Sequence, residues 1–466
     1  MKTKITFMAF IISALCFTSS AQVATWTGPD AGDWSTAENW STTSTPLIAD
    51  SVSIPAGKAV TISENVGTIN RLSVSGKLII SAAGALEIDQ AISPNGSPIV
   101  TLAGGEIMNE GSFTVKNSVV TASNTVLQFA ENANRDNLFT NNGSFTMDNT
   151  IGAYASTTGR GIGLNMVSPG RVSTFKMGGT MNINIKAGCC FIETNGGGNL
   201  TLDGTLVLGS DTDYKNLRFI KIQAGGSVTV APTANITLYT GFVSGNGVIN
   251  MQSALTTEPG SIFTNFGTIA IHGGTATTGY GLYFNPQAAN ALNTFNNAGT
   301  ITVDGTFPLG FMYIGGTATG MTTINNQSTG TIGLYHSDPA AQVIKTAGTG
   351  NTVTINNEGT LKVSSATITL SSTAAVINNT GTIIYNAIAG VKSLNALNGK
   401  MYKNANDLIV ELQGNAQLII SDITGKNIRN QQLTDERNVI NTNNLKGIYI
   451  VRIISEKGVY SQKVSL

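Results

Sequence analysis

The stretch FNNAGTITVDGT, residues 295–306, decides the fold, because the chain writes it repeatedly. Near-copies stand at FTNNGSFTMDNT (139–150), FTNFGTIAIHGGT (263–275), INNEGTLKVSS (355–365) and INNTGTIIYN (377–386). The shared pattern is apolar–x–Asn–x–Gly–Ser/Thr–apolar. It fits Ile107–Phe113, Phe139–Phe145, Phe263–Ile269, Phe295–Ile301, Ile355–Leu361 and Ile377–Ile383, and INNQSTGTI (324–332) fits with two extra residues. Each copy reads as a strand ending on an inward apolar residue, a corner, and a Thr-rich strand with apolar residues at every second position. Asn and Gly are expected to turn the corner because both tolerate the left-handed backbone conformation.

Weaker copies fill the gaps: GGTMNINI (178–185), GGNLTLDGTLVLG (197–209), GGSVTVAPTANITLYT (225–240) and GNGVINM (245–251). The spacing, from about twenty to a little over thirty residues, is that of a solenoid. No amphipathic helix of useful length lies between copies, so the expected fold is all-β. It is a right-handed parallel β-helix whose corner asparagines hydrogen-bond from coil to coil. A β-sandwich fits less well, since it calls for two-residue Asn-Gly hairpins rather than one corner motif per coil.

Composition excludes several partners. Of 466 residues, 11% are charged and 41% hydrophobic, which excludes a disordered polyelectrolyte. Lys+Arg and Asp+Glu balance at 26 each, leaving no basic stripe for nucleic acid and no polybasic patch for anionic lipid. The N-terminus reads as a secretory signal over residues 1–21. Lys2 and Lys4 precede the apolar run ITFMAFIISALCF, and Ser19 and Ala21 occupy the small-residue cleavage positions. Leu15 stands where a lipoprotein site needs a small residue, so Cys16 belongs to the signal. No later segment approaches the ~18 apolar residues of a membrane span. The remaining cysteines, Cys189 and Cys190, are adjacent; they read as small buried hydrophobes in a strand.

All three tryptophans lie in the segment 26–62: Trp26, Trp34 and Trp40. They read first as an aromatic lid on the first coil and second as a sugar-stacking platform, which makes them the candidate binding residues. The order Trp34, Trp40, Pro46, Asp50, Val52, Ile54, Gly57, then Leu72, Val74, Gly76, Leu78, resembles the opening of G8-like and related bacterial β-helix modules. That resemblance covers roughly residues 26–90 and implies the fold, with no enzyme activity.

Beyond about residue 400 the composition shifts. Residues 401–466 hold 14 charges in 66 positions, against 36 in 379 for residues 22–400, and the corner motif disappears. Alternating strands joined by polar turns predict a small Ig-like β-sandwich. The run LIISDITGKNIRNQQL…VINTNNLKGIYIVRIISEKGVYSQKVSL resembles the C-terminal sorting domain of type IX secretion substrates. The matching residues are Asp422, Gly425, Lys426, Leu445, Gly447, Tyr449, Lys463 and Val464. The family's usual Pro-Asn-Pro opening is replaced by YKNAND. The resemblance implies the type IX machinery as a partner, removal of the tail, and release or attachment to the outer-membrane surface. The expected divisions are 1–21 signal peptide, 22–100 cap and first coils, 101–390 β-helix repeats and 391–466 sorting domain.

Catalysis has thin support. The two histidines, His272 and His336, lie far apart, with no HExxH and no triad-like surroundings. Stacking in register would project Lys116, Asp148, Asp203, His272 and Asp304 from one corner. The outer carboxylates would then lie beyond the ~5–9.5 Å of a glycosidase pair. No cofactor and no metal is expected. The expectation is an exported, non-enzymatic, adhesin-like β-helix that binds polysaccharide or surface proteins. A polysaccharide lyase or glycoside hydrolase is the alternative. An acid pair facing Lys or Arg along one sheet favours the enzyme, and a Thr/Asn-lined face favours the binder.

Overall fold

The structure, a computed structural model, describes residues 22–89, 98–116, 125–130, 134–149, 160–165, 171–185, 190–194, 198–223, 225–241, 247–253, 260–274, 279–305, 307, 310–315, 319–336, 342–346, 351–365, 368, 370, 375–385, 400–404, 406–412, 414–422, 425–455 and 458–466. The signal-peptide residues, Cys189, and residues 386–399 on either side of the expected 390/391 boundary lie outside them.

Residues 23–384 form a parallel β-solenoid whose coils each visit three sheets. The first sheet has twelve strands. Its inward residues follow one another in strict register: Val52, Leu72, Val100, Leu127, Ile162, Ile192, Ile220, Ile249, Leu282, Met312 and Ile344. Between consecutive members the chain advances 20 residues at the least (Val52 to Leu72) and 35 at the most (Leu127 to Ile162). Coil length therefore varies outside the strands while the strands stay aligned, because a one-residue slip would turn each apolar set outward.

The second sheet carries the strand that precedes each corner motif, and the third carries the strand that follows it. Strand Asn199–Leu208 serves both: residues 199–202 pair with Ser227–Val230 and residues 205–208 with Asn235–Leu238. Gly204, at φ 88°, makes the bend between them. The interior is filled by aliphatic side chains and by phenylalanines that touch from coil to coil. Phe139 and Phe175 stack at 5.1 Å, and Phe263 and Phe295 at 5.1 Å.

The repeated asparagine is a rung, buried at Asn265, Asn297, Asn326 and Asn357 and exposed at Asn379. Asn265, Asn297, Asn326, Asn357 and Asn379 stand in register. Each Nδ2 donates to the next Oδ1, at 2.8, 2.8, 2.7 and 2.7 Å. Most of these amides also reach a backbone oxygen of the following coil, as Asn297 does to Thr331 O at 3.2 Å. A separate pair, Asn109 to Asn141 at 2.7 Å, joins two of the earlier coils in the same way. A second ladder runs along the outer side of the same corner with the opposite polarity. There Asn325, Asn356 and Asn378 each donate back to the preceding Asn296, Asn325 and Asn356, at 2.9, 2.8 and 2.9 Å.

The reason for glycine at the corner differs from the expected one. Gly111, Gly143, Gly267, Gly299, Gly330, Gly359 and Gly381 are not in the left-handed region, and neither are the ladder asparagines. Coil-to-coil approach sets the requirement instead. A Cβ on Gly299 would lie 2.1 Å from Gly267 O, and one on Gly381 2.2 Å from Gly359 O. Asparagine recurs because it bridges coils, and glycine because only a bare Cα fits beneath the preceding carbonyl.

The last coil, Ala375–Asn379 and Thr382–Ile384, has no successor among the described residues, and Val376 and Ile384 are 51% and 41% exposed. Residues 400–466 form two antiparallel sheets. One has Lys400–Asn404, Asp407–Glu411 and Arg437–Asn441. The other has Asn427–Leu433, Ala416–Asp422, Ile448–Ser455 and Gly458–Ser465. They enclose their own core, centred on Val410, Leu418, Ile420, Leu433, Val451 and Ile453, as a small sandwich does. Among the described residues no helix is long and apolar enough to cross a membrane.

Candidate functional site

The tryptophans are placed first. Trp26, Trp34 and Trp40 are each 1% exposed. Trp40 meets Trp26 edge-on at 5.1 Å and Trp34 edge-on at 4.8 Å. Trp26 Nε1 donates to Pro29 O at 2.9 Å and Trp40 Nε1 to Trp34 O at 2.8 Å. The indoles form a lid on the first coils and leave no ring face for a sugar, so the stacking platform is corrected. Burial of three large rings at the solenoid's first edge accounts for their positions, with the Trp34 indole N–H buried and unmatched by any acceptor among the described residues. The expected measurement is blue-shifted tryptophan emission, weak acrylamide quenching and no change on adding glycan. Quenching by glycan would show that an indole is reachable.

The remaining residues of the G8-like opening also have structural parts. Val52, Ile54, Leu72, Val74 and Leu78 point into the core, and Asp50 Oδ2 accepts Leu47 N–H at 2.8 Å. A shallow depression of about 380 Å³ lies over these first coils, lined by Lys58, Lys77, Glu106, Arg135, Asp136 and several glycines. Ion pairs Lys58–Asp30 (3.0 Å) and Lys77–Glu106 (3.1 Å) tie its charges together.

From Thr174 onward the outer face of the second sheet carries a regular uncharged row. Its register continues upstream through Leu138, Glu106 and Lys77, with Lys176 and Asp203 beside its first two members. Thr174, Thr201, Thr229, Thr264, Asn296, Asn325, Asn356 and Asn378 follow one another strand by strand. Thr294, Thr323 and Thr354 form a parallel row two residues away. A second depression of about 380 Å³ opens where this face meets the corner, lined by Asn325, Asn326, Gln327, Ser328, Asn356 and Glu358.

The expected column of polar residues splits in three. Lys116 and Asp148 are neighbours, but Lys116 is held by Glu87 at 2.7 Å, a bond that raises its pKa. Asp203 stands in the second sheet beside Lys176, not in the third, and accepts a hydrogen bond from Thr233. The strand bends at Gly204, one residue past it, so Asp203 is on the wrong side of the corner. His272 and Asp304 do come together, with Nδ1 and Oδ1 2.7 Å apart. Five strand steps separate Asp148 from Asp304, about 24 Å at ~4.8 Å per step, which excludes a paired-carboxylate role.

The sequence missed what flanks His272 and Asp304. Tyr239 and Tyr335 occupy the same register position on the neighbouring strands. The Tyr239 ring lies 4.7 Å from the His272 ring, and Tyr214 meets Tyr239 edge-on at 6.1 Å. Burial, then the charge of Asp304, pushes the Tyr335 phenol up to about 12, so it stays protonated. The signal was present in the endings NITLYT, TIAIHG, TITVDG and TIGLYH, which align once the strands are stacked.

It also missed a cluster on the outward side of the first sheet. Glu193, itself buried, takes Arg160 Nε at 2.5 Å, Lys221 Nζ at 3.1 Å and the Gln223 amide. Both carboxylate oxygens are engaged, Oε2 by Arg160 and Oε1 by Lys221 and Gln223, so a substrate proton would have to compete with these donors for Glu193. Beside it Cys190 is buried as expected, and burial pushes its thiol up to about 11. Among the described residues no group of three His, Cys, Asp or Glu could hold a metal ion.

In the sandwich the motif residues shape turns and edges. Gly425, at φ 86°, follows a turn in which Lys426 N–H donates to Asp422 Oδ1 at 3.0 Å. Gly447, at φ 128°, exchanges two backbone hydrogen bonds with Leu466, at 3.1 and 3.0 Å. Leu445, Tyr449 and Val464 pack on the core, and Ile450 pairs with Lys463. Residues 400–466 match the secretion system C-terminal sorting domain. The fold and this match together define a secreted β-solenoid protein. It is a type IX secretion substrate, delivered outside the cell or attached to its surface, and the type IX machinery is its partner in export. No curated protein and no solved structure matches the chain.

Proposed function

We propose that the exported solenoid is a non-enzymatic, adhesin-like module that binds polysaccharide. The observation that carries this is the uncharged Thr/Asn row on the second sheet, from Thr174 to Asn378. Hydroxyl and amide groups repeated at ~4.8 Å offer donors and acceptors to a polymer that is itself polar and repetitive. The asparagine ladder holds the outer side chains in place before a ligand arrives, so little ordering cost remains for binding.

The enzyme reading has one observation in its favour, the Glu193–Arg160–Lys221 cluster along the first sheet. Its burial and the donors already on both carboxylate oxygens weigh against a substrate reaching it. The test applies the exported chain to a polysaccharide array, with bound glycan and newly formed sugar ends read in the same wells. Binding without new ends is the expected result. New reducing or unsaturated ends would replace the binder with a lyase or hydrolase.

A further inference from the structure

We propose that Tyr214, Tyr239, His272, Asp304 and Tyr335 form one binding row for a short run of uncharged pyranose units of a glycan chain. The inference rests on the polysaccharide-binding reading and locates its anchor on the third sheet, away from the Thr/Asn row.

Three observations converge. The first is composition: aromatic rings on either side of a hydrogen-bonded imidazole–carboxylate pair. Tyr239 packs at 4.7 Å on His272, whose Nδ1 is bonded to Asp304, and Tyr335 stands beside Asp304. Rings cover the apolar face of a sugar, while a carboxylate and the second imidazole nitrogen address its hydroxyls. The His272 and Asp304 side chains are 29% and 25% exposed, so they are held by neighbours yet still reach solvent.

The second is the pair of glycine seats beneath the rings. At the register position where neighbouring strands carry Ala270, Thr302 and Lys362, one strand has Gly333. A Cβ there would lie 2.5 Å from the Tyr335 ring. Likewise a Cβ on Gly274 would lie 2.8 Å from Tyr214 Cγ. The solenoid needs no glycine at the Gly333 position, as its neighbours show, and glycine weakens a strand. Seating a ring is what Gly333 achieves.

The third is charge. Asp304 stands in the binding row, and Asp213 beside Tyr214 is already neutralised by Lys215 at 2.6 Å. A uronic acid or sulfated sugar would meet the Asp304 carboxylate directly, and the nearest lysine on the neighbouring strands, Lys362, stands beside Gly333, two strands away from Asp304. An uncharged sugar meets no such penalty. Nor does stability alone explain the arrangement, since a side-chain hydrogen bond contributes only ~0.5–1.5 kcal/mol net.

The experiment is calorimetric titration of the exported chain with soluble uncharged polysaccharides (β-glucan, α-glucan, mannan, xylan) and with polygalacturonate as the charged comparison. Tyr239→Ala and Tyr214→Ala are expected to weaken binding about tenfold, the loss of one aromatic anchor, while Tyr239→Phe keeps it. Tyr214 is 37% exposed, so Tyr214→Ala carries the test if Tyr239→Ala fails to fold. If both alanine variants bind as the parent does while Asn325→Ser/Asn356→Ser loses binding, the binding row is wrong and the polysaccharide reading stands. Preference for polygalacturonate overturns the ligand class proposed here. No binding to any polymer by the parent overturns the binding row and the wider reading together.

Discussion

Gly299→Val is expected to open the solenoid locally at a cost of about 4 kcal/mol or more, in the range reserved for overpacking with no route to relax. Its Cβ would be placed 2.1 Å from Gly267 O, and that oxygen is backbone fixed by the corner hydrogen bonds. Relief requires the two coils to part, which strains the ladder bonds on either side. Gly57→Ala is the comparison. Gly57 has φ 77° with nothing within 4 Å of an added methyl, so the expected cost is the left-handed penalty alone, about 1–2 kcal/mol. Urea midpoints should separate the two, and hydrogen exchange should place the opening of Gly299→Val between Asn265 and Asn326. Equal costs would mean that backbone conformation, not coil approach, selects the corner glycine.

Asn326→Leu should be nearly as damaging. The wild-type amide accepts from Asn297 Nδ2 at 2.8 Å and donates to Asn357 Oδ1 at 2.7 Å and Thr360 O at 3.1 Å. Leucine fills similar volume but leaves Asn297 Nδ2 only its backbone acceptors and takes the side-chain donor away from Asn357 Oδ1 and Thr360 O. At ~1–3 kcal/mol for each unsatisfied group the expected loss is about 3–5 kcal/mol. Asn326→Asp sharpens the test through pH. Its carboxylate can accept from Asn297 but, when ionised, has nothing to donate to Asn357 or Thr360. Burial favours the protonated form in the folded state, so the folded chain binds a proton more tightly than the unfolded one. Stability of this variant should therefore rise as pH falls, whereas Asn326→Leu shows no such slope. A flat profile for Asn326→Asp would mean that water reaches the ladder.

Much of the fold was legible because solenoid physics is written once per coil. The apolar alternation, the recurring Asn and the recurring Gly each mark a residue that must meet its own counterpart a coil away. What misled was attribution: asparagine and glycine are also turn residues, and only the stacking of coils brings Gly267 O against Gly299. The tail was readable from Asp422, Gly425, Lys426 and Gly447 because turns with fixed backbone demands repeat between proteins. Candidate sites were less legible. The tryptophans could not be told from a platform by spacing, since a lid and a platform use the same residue. The corner motif already joined His272 to Asp304, but Tyr239 and Tyr335 differ from them in residue type and were joined to the pair only by register. Asp203 looked like Asp304 in sequence, and a single bend at Gly204 put it on another sheet.

The two asparagine ladders have an electrical consequence. In the inner column every amide donates toward the following coil, and in the outer column every amide donates toward the preceding one. Aligned amides add their dipoles, as the peptide units of a helix do, and a single ladder would gather partial charge at each end of the stack. Running the second column against the first subtracts that field, and the strands between contribute little of their own. The last rung among the described residues, at Asn378 and Asn379, is thus left close to electrically silent for all its polar groups. Whatever approaches that end meets directional hydrogen-bonding groups and the half-covered Val376 and Ile384, with scarcely any long-range pull to guide it there.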